Sequence, residues 1–125
     1  MKDEDSLNFW ITSAKKDWKV AKHLFEKKDY PYALFFGHLT IEKILKAIYF
    51  LKFKENPPHT HRLLYLAEKI KLELNDKQIE LLEIVTDFNL EARYPDEKFS
   101  FHKKCTKKFT EKYLKEIEVL MKWLL

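Results

Sequence analysis

One glycine in 125 residues, Gly37, and one cysteine, Cys105, set the first limits on this chain. A phosphate-binding loop needs at least two glycines and a dinucleotide fingerprint needs more, so neither motif can exist here. Any nucleotide must be met by side chains and helix ends instead. A lone cysteine rules out an internal disulfide and agrees with a reduced, cytoplasmic protein. No apolar run approaches the roughly 18 residues that a membrane span requires. The opening MKDEDSLNFW is acidic, which predicts no secretory signal. A net charge of +4 is too modest to imply nucleic acid by itself.

What is present points to a packed domain. Apolar residues make up 46% and aromatics 15%, far more than a disordered segment carries, and the length fits a single domain over residues 1–125. The single Gly, the single Gln and the 35% charged residues suit adaptation to heat. Leu7, Ile11, Ala14, Trp18, Ala21 and Phe25 recur at spacings of three and four, the stripe of a helix of about six turns. Asp29, Tyr30 and Pro31 break it, and Pro31 is placed to start a second helix. That second run, YALFFGHLTIEKILKAIYFLKF, is apolar on nearly every side and so predicts a central helix, with Gly37 marking a close crossing. Asn56-Pro57-Pro58 ends it. Thr60 is a candidate cap for a short third helix from Arg62 to about Lys71. Asn75 with Gln78 reads as a capping pair opening a fourth, whose Leu81, Leu82, Val85, Phe88 and Ala92 face inward. Tyr94 precedes Pro95 and is pushed out of helical geometry. A last helix carries Phe109, Tyr113, Ile117, Leu120 and Leu124. The expected fold is all-α: an antiparallel up-and-down bundle of four long helices plus one short one.

Several groups can carry chemistry. His59 and His61 form an HxH pair, but no matching carboxylate or cysteine ligands lie nearby, so a cap or a carboxylate partner is expected rather than a metal. Cys105 lies in KKCTKK, where lysines can lower a thiol pKa, although a lone cysteine on a charged face is usually a bystander. Lys98 to Lys115 holds seven lysines and one glutamate, with Lys104, Lys108, Lys112 and Lys115 placed on one helical face. A solvated face is the simpler reading, and attraction of a phosphate backbone towards Arg93 the other. Glu42, Lys43 and Lys46 sit inside the most apolar helix. Glu42 and Lys46 are four apart and can pair, and at least one of the three should face a polar cleft or a buried partner. Arg93 is the expected partner of Glu42.

Four fragments in order then resemble the HEPN domain family, small helical bundles. Ala14, Asp17, Trp18 and Ala21 match its A-x-x-D-L-x-x-A helix, with Tyr30 and Ala33 matching the Y-x-x-A that follows. Glu42, Lys43, Leu45, Lys46 and Ala47 match A-x-E-K-x-L-K-A, and Thr60, His61 and Leu63 match T-H-x-L. EARYPDE resembles the A-R-Y-P segment of one branch. The resemblance implies a homodimer with a polar cleft between the second and fourth helices. In one branch the members are metal-independent ribonucleases, marked by an arginine and a histidine with four to six residues between them. Here those positions after Arg93 hold Lys98, Phe99 and Ser100, and His102 comes later. The other branch accompanies small nucleotidyltransferases encoded as separate chains, and A-R-Y-P looks closer to it. Where that branch often has a glutamine pair before Glu-Lys, this chain has His38 and Leu39.

The leading expectation is a non-catalytic module that binds a nucleotide or RNA beside a separate nucleotidyltransferase, as in a toxin–antitoxin pair. Arg93 would meet phosphate, Tyr94 would stack on a base or line the cleft, Glu42 and Lys46 would form its far wall, and His38 and His61 would complete it. No metal and no cofactor are implied. The alternatives are a ribonuclease using Arg93 with His102 or His61, and a dimerisation module without ligand.

Overall fold

The computed structural model describes residues 3–125. Six helices form: α1 (Asp3–Glu26), α2 (Tyr30–Phe53), α3 (Leu63–Lys69), α4 (Asp76–Arg93), α5 (Ser100–Lys104) and α6 (Lys107–Leu124). Among the described residues there is no strand. Four of the helices have 18 residues or more, and α3 and α5 have only 7 and 5.

The all-round apolarity of α2 is explained by its place. It packs against each of the other five helices. Ala33, Leu34, Ile41 and Leu45 are buried along it and meet Trp18 and Ala21 of α1, Leu63 and Leu66 of α3, Val85 and Phe88 of α4, and Ile117 of α6 in one core. At Gly37 the side chains of α6 come close. A methyl group in place of its hydrogen would lie 2.9 Å from Ile117 Cδ1 and 3.6 Å from Leu114 Cδ2. The glycine thus serves proximity and not a turn.

The helix ends follow from local chemistry. Pro31 occupies the first turn of α2, where its missing N–H is no loss. The Asn75 side chain accepts from Gln78 N at 2.8 Å while the Gln78 side chain accepts from Asn75 N at 3.0 Å, a complete capping box on α4. The last turns close on left-handed residues that are not glycine: Lys28 after α1, Lys54 after α2 and Lys71 after α3. Around Lys28 and Lys71 the paired bonds of a Schellman motif are made, Asp29 N to Leu24 O with Lys28 N to Phe25 O, and Leu72 N to Ala67 O with Lys71 N to Glu68 O.

Three expectations need correction. Six helices are present and not five, because Ser100–Lys104 turns once before α6 begins. Its periodicity is invisible at that length, and a left-handed Phe99 starts it. Thr106 then caps α6 by accepting from Phe109 N at 3.2 Å. Lys104 therefore sits on α5, off the helix that bears Lys108, Lys112 and Lys115. Thr60 does not cap α3 either. Its hydroxyl accepts from Arg62 N at 3.2 Å, and Arg62 is the capping position.

At the crossing of α2 and α6, Gly37→Val should destabilise the protein by about 1–3 kcal/mol through overpacking. Ile117→Val, which deletes the opposing Cδ1, should make the double variant less destabilised than the sum of the singles in urea unfolding.

Candidate functional site

A carboxylate in an apolar helix must be paired, because an unpaired buried charge is among the most costly things a fold can hold. Glu42 is 5% exposed and Lys46 is 7% exposed. Lys46 Nζ donates to Glu42 Oε2 at 3.0 Å, one turn along α2, and lies 5.8 Å from the Trp10 ring centroid. Lys43 points another way: its Nζ is 2.6 Å from Asp17 Oδ2 and donates to Ser13 Oγ at 2.6 Å, tying α2 to α1.

The second partner of Glu42 comes from outside the helix. His61 Nδ1 donates to Glu42 Oε1 at 2.7 Å, although the His61 side chain is 62% exposed. Nδ1 is directed at the buried carboxylate, and Nε2 makes no hydrogen bond among the described residues. The segment that delivers His61 is fixed just beyond it. Thr86 Oγ1 of α4 accepts from Leu63 N at 3.1 Å and donates to Leu82 O at 2.8 Å.

Arg93 does not pair with Glu42, contrary to expectation. Its Nε donates to Asn89 O at 3.2 Å and its Nη2 to Asn89 Oδ1, while Cζ lies 5.3 Å from the Phe35 ring centroid and 5.1 Å from that of Tyr94. A guanidinium has five N–H donors, so the remainder stay available on the outer face of the exposed Arg93. Asn89 connects this end to the other. Its Nδ2 donates to His38 Nδ1 at 3.3 Å, and His38 Nε2 donates to the His61 carbonyl at 2.9 Å. His38 is fully buried, and its Nε2 is 3.8 Å from Glu42 Oε1. Burial is the main force that lowers its pKa, outweighing the His61 carbonyl and Glu42, which raise it. His38 is therefore neutral at pH 7.

The structure thus joins five of the sequence-derived residues, Arg93, His38, Glu42, Lys46 and His61, into one network, with Tyr94 packed over Arg93 and 65% exposed. Glu42 and Lys46 form its buried floor more than an open wall. His102 is brought back alongside, but its Nε2 donates to the Ala92 carbonyl at 3.0 Å and so fastens the turn after α4. Asp96 accepts from Ser100 N at 2.8 Å in that turn, and this bond is the largest cause holding its carboxyl below the usual range. Cys105 is buried, which pushes its thiol up to about 12, with Glu91 adding and Lys104 opposing weakly. That is the reverse of an activated nucleophile. Among the described residues no group of three or more His, Cys, Asp or Glu side chains is placed to hold a metal. A groove of about 530 Å³ between α4 and α6, lined by Leu81, Ile84, Lys112 and Tyr113, contains none of the network residues.

Sequence reasoning missed Asn89 and Phe35. The signal for Asn89 was an amide on the inward stripe of α4, between Val85 and Ala92 and one turn before Arg93.

A model of the HEPN domain family matches residues 7–125, nearly the whole chain. No curated protein matches it.

Removing Glu42 strands Lys46, so Glu42→Ala should cost about 3–5 kcal/mol in urea unfolding. His61→Ala, at an exposed position, should cost less than about 1 kcal/mol. The lowered His38 pKa gives a definite sign. Below the ordinary imidazole value of about 6.5 the unfolded chain takes up a proton that the folded chain resists. Stability should be fully present above about pH 6.5 and fall as the pH drops through the lower folded value. His38→Gln should flatten that part of the profile, as read by urea midpoints at stepped pH.

Proposed function

The chain belongs to the HEPN domain family, and from that premise we propose that it is a nucleotide- or RNA-binding module whose phosphate contact is Arg93. The observation that carries this reading is the way the guanidinium is held. Two donors are committed to Asn89, its faces meet Phe35 and Tyr94, and its other donors look outward. An arginine fixed in this way loses little freedom when a phosphate arrives. Tyr94 offers its free face to a base, and His61 presents Nε2 to whatever lies beyond the phosphate. His38, Glu42 and Lys46 support the site from beneath. The frame is one domain over residues 1–125, its four long helices running up and down in antiparallel fashion.

Two further parts of this reading concern partners. The module forms a homodimer and works with a separate small nucleotidyltransferase chain, in a pair of toxin–antitoxin type. The resemblance of EARYPDE to the A-R-Y-P branch supports it, as do the exposed Tyr32, Leu90 and Phe99 in addition to Tyr94. Apolar surface of that kind suits a protein partner.

A second reading, a metal-independent ribonuclease, is favoured by one observation only. Glu42 orients His61 with a free Nε2, the arrangement a general base needs, while His102 is committed to a backbone carbonyl.

Native mass spectrometry with ATP, AMP and a short RNA tests the first reading. A dimer should gain ligand, and Arg93→Ala should weaken that gain tenfold or more, about 1.4 kcal/mol, while unfolding stays cooperative. An Arg93→Ala chain that unfolds would make the arginine a structural pin and end the assignment. RNA cleaved without metal, and spared by His61→Ala, would move the protein to the second reading. A dimer that ignores every ligand would leave only a dimerisation module.

A further inference from the structure

The network between Arg93 and His61 has a direction that its two ends dictate. Arginine can only donate, and a backbone carbonyl can only accept. Arg93 therefore requires Asn89 to turn Oδ1 towards it, which leaves Nδ2 facing His38. His38 must then accept on Nδ1 and carry its proton on Nε2, where the His61 carbonyl takes it. One arrangement of hydrogens satisfies all four residues, and it needs a neutral His38.

A protonated His38 has two donors and no acceptor. Its Nδ1–H would face the Asn89 amide hydrogens. Rotating the amide by half a turn resolves that clash by presenting Oδ1 to His38, but it points Nδ2 at Arg93, donor against donor. The guanidinium then loses its side-chain anchor. The charged groups that face His38 act in both directions. Glu42, on its own helix, favours the proton. Arg93 from α4 opposes it, as does His61 from the segment before α3 when charged. Lys46 meets His38 only through Glu42.

We propose that Asn89 and His38 are positioning residues for Arg93, and that a proton taken up by His38 reverses the Asn89 amide and releases the guanidinium from its phosphate-binding pose. This rests on the reading of Arg93 as a phosphate contact. The site then captures its ligand at neutral pH and relaxes in acid, with no change in backbone fold. Loss of one side chain's pre-organisation corresponds to about three- to tenfold weaker binding.

The test uses the full chain and a short RNA with 5′- and 3′-hydroxyl ends, whose diesters do not titrate near neutrality. Imidazole nitrogen and Arg93 Nε–H resonances are followed by NMR from pH 7.5 to 5 in the free protein, and RNA affinity is measured across the same range. At neutral pH His38 should be the Nε2–H tautomer, and the Arg93 signal should shift as His38 titrates. Affinity should fall about three- to tenfold in step. Asn89→Ala should bind at the acid level throughout. His38→Gln accepts on Oε1 and donates on Nε2 without titrating, so whatever its affinity at neutral pH, it should lose that pH step.

An Nδ1–H tautomer at neutral pH, or an Arg93 signal blind to His38 titration, overturns the relay. So does a His38→Gln chain with the wild-type pH step. If the wild-type chain binds no RNA or nucleotide at any pH, the phosphate reading of Arg93 fails, and NMR still decides the relay separately.

Discussion

A buried carboxylate in the middle of the most apolar helix constrains nearly everything around it. Glu42 cannot be left alone in that setting. Lys46 answers it from the next turn of the same helix, and its ammonium is in turn covered by Trp10 of α1. His61 answers it from the segment between α2 and α3, so a stretch with no regular structure acquires a fixed position. His38 lies close enough to feel the same charge, and through Asn89 it passes order on to Arg93. The pairing that makes the core tolerable is also what gives the surface groups their orientation. Stability and the candidate site therefore share residues.

This arrangement explains why the outer end of the network is built as it is. Arg93 occupies the last position of α4, where a cation is favoured by the helix dipole, but that effect alone is modest. Its pose comes from Asn89 one turn earlier and from two aromatic faces. Tyr94 can supply one of those faces because Pro95 forces it out of the helix. The turn that follows is closed by His102 on Ala92, so the ring that covers the guanidinium belongs to a fastened segment.

Much of the fold could be read from the sequence because its signals are local. All-round apolarity marked α2 as central, Asn75 with Gln78 marked the start of α4, and Tyr94-Pro95 marked its end. The lone glycine in an apolar helix marked a close crossing, and α6 is the helix found there. A single turn such as α5 has no periodicity to detect, and it opens on a left-handed phenylalanine that no rule of composition favours. The site divides along the same line. The Glu42–Lys46 pair follows from spacing. The link from Glu42 to His61 joins residues nineteen apart, and Asn89 to His38 joins residues fifty-one apart. Such links depend on how α2, α4 and the connecting segment pack, which spacing does not encode. Arg93 was therefore expected on Glu42, while the structure inserts an asparagine and a histidine between them.

The scarcity of glycine returns at the helix ends. Lys28, Lys54 and Lys71 hold left-handed conformations that most chains give to glycine. Each such residue carries about 1–2 kcal/mol of steric penalty in the native state. A glycine there would relieve it, but would also loosen the unfolded chain by about 0.4–1 kcal/mol. The two effects partly cancel, so lysine at these three positions is a smaller sacrifice than native geometry alone suggests. The chain thus turns its corners with a residue that also brings charge to the carbonyl end of a helix, and a bundle this compact can be written almost without its most flexible letter.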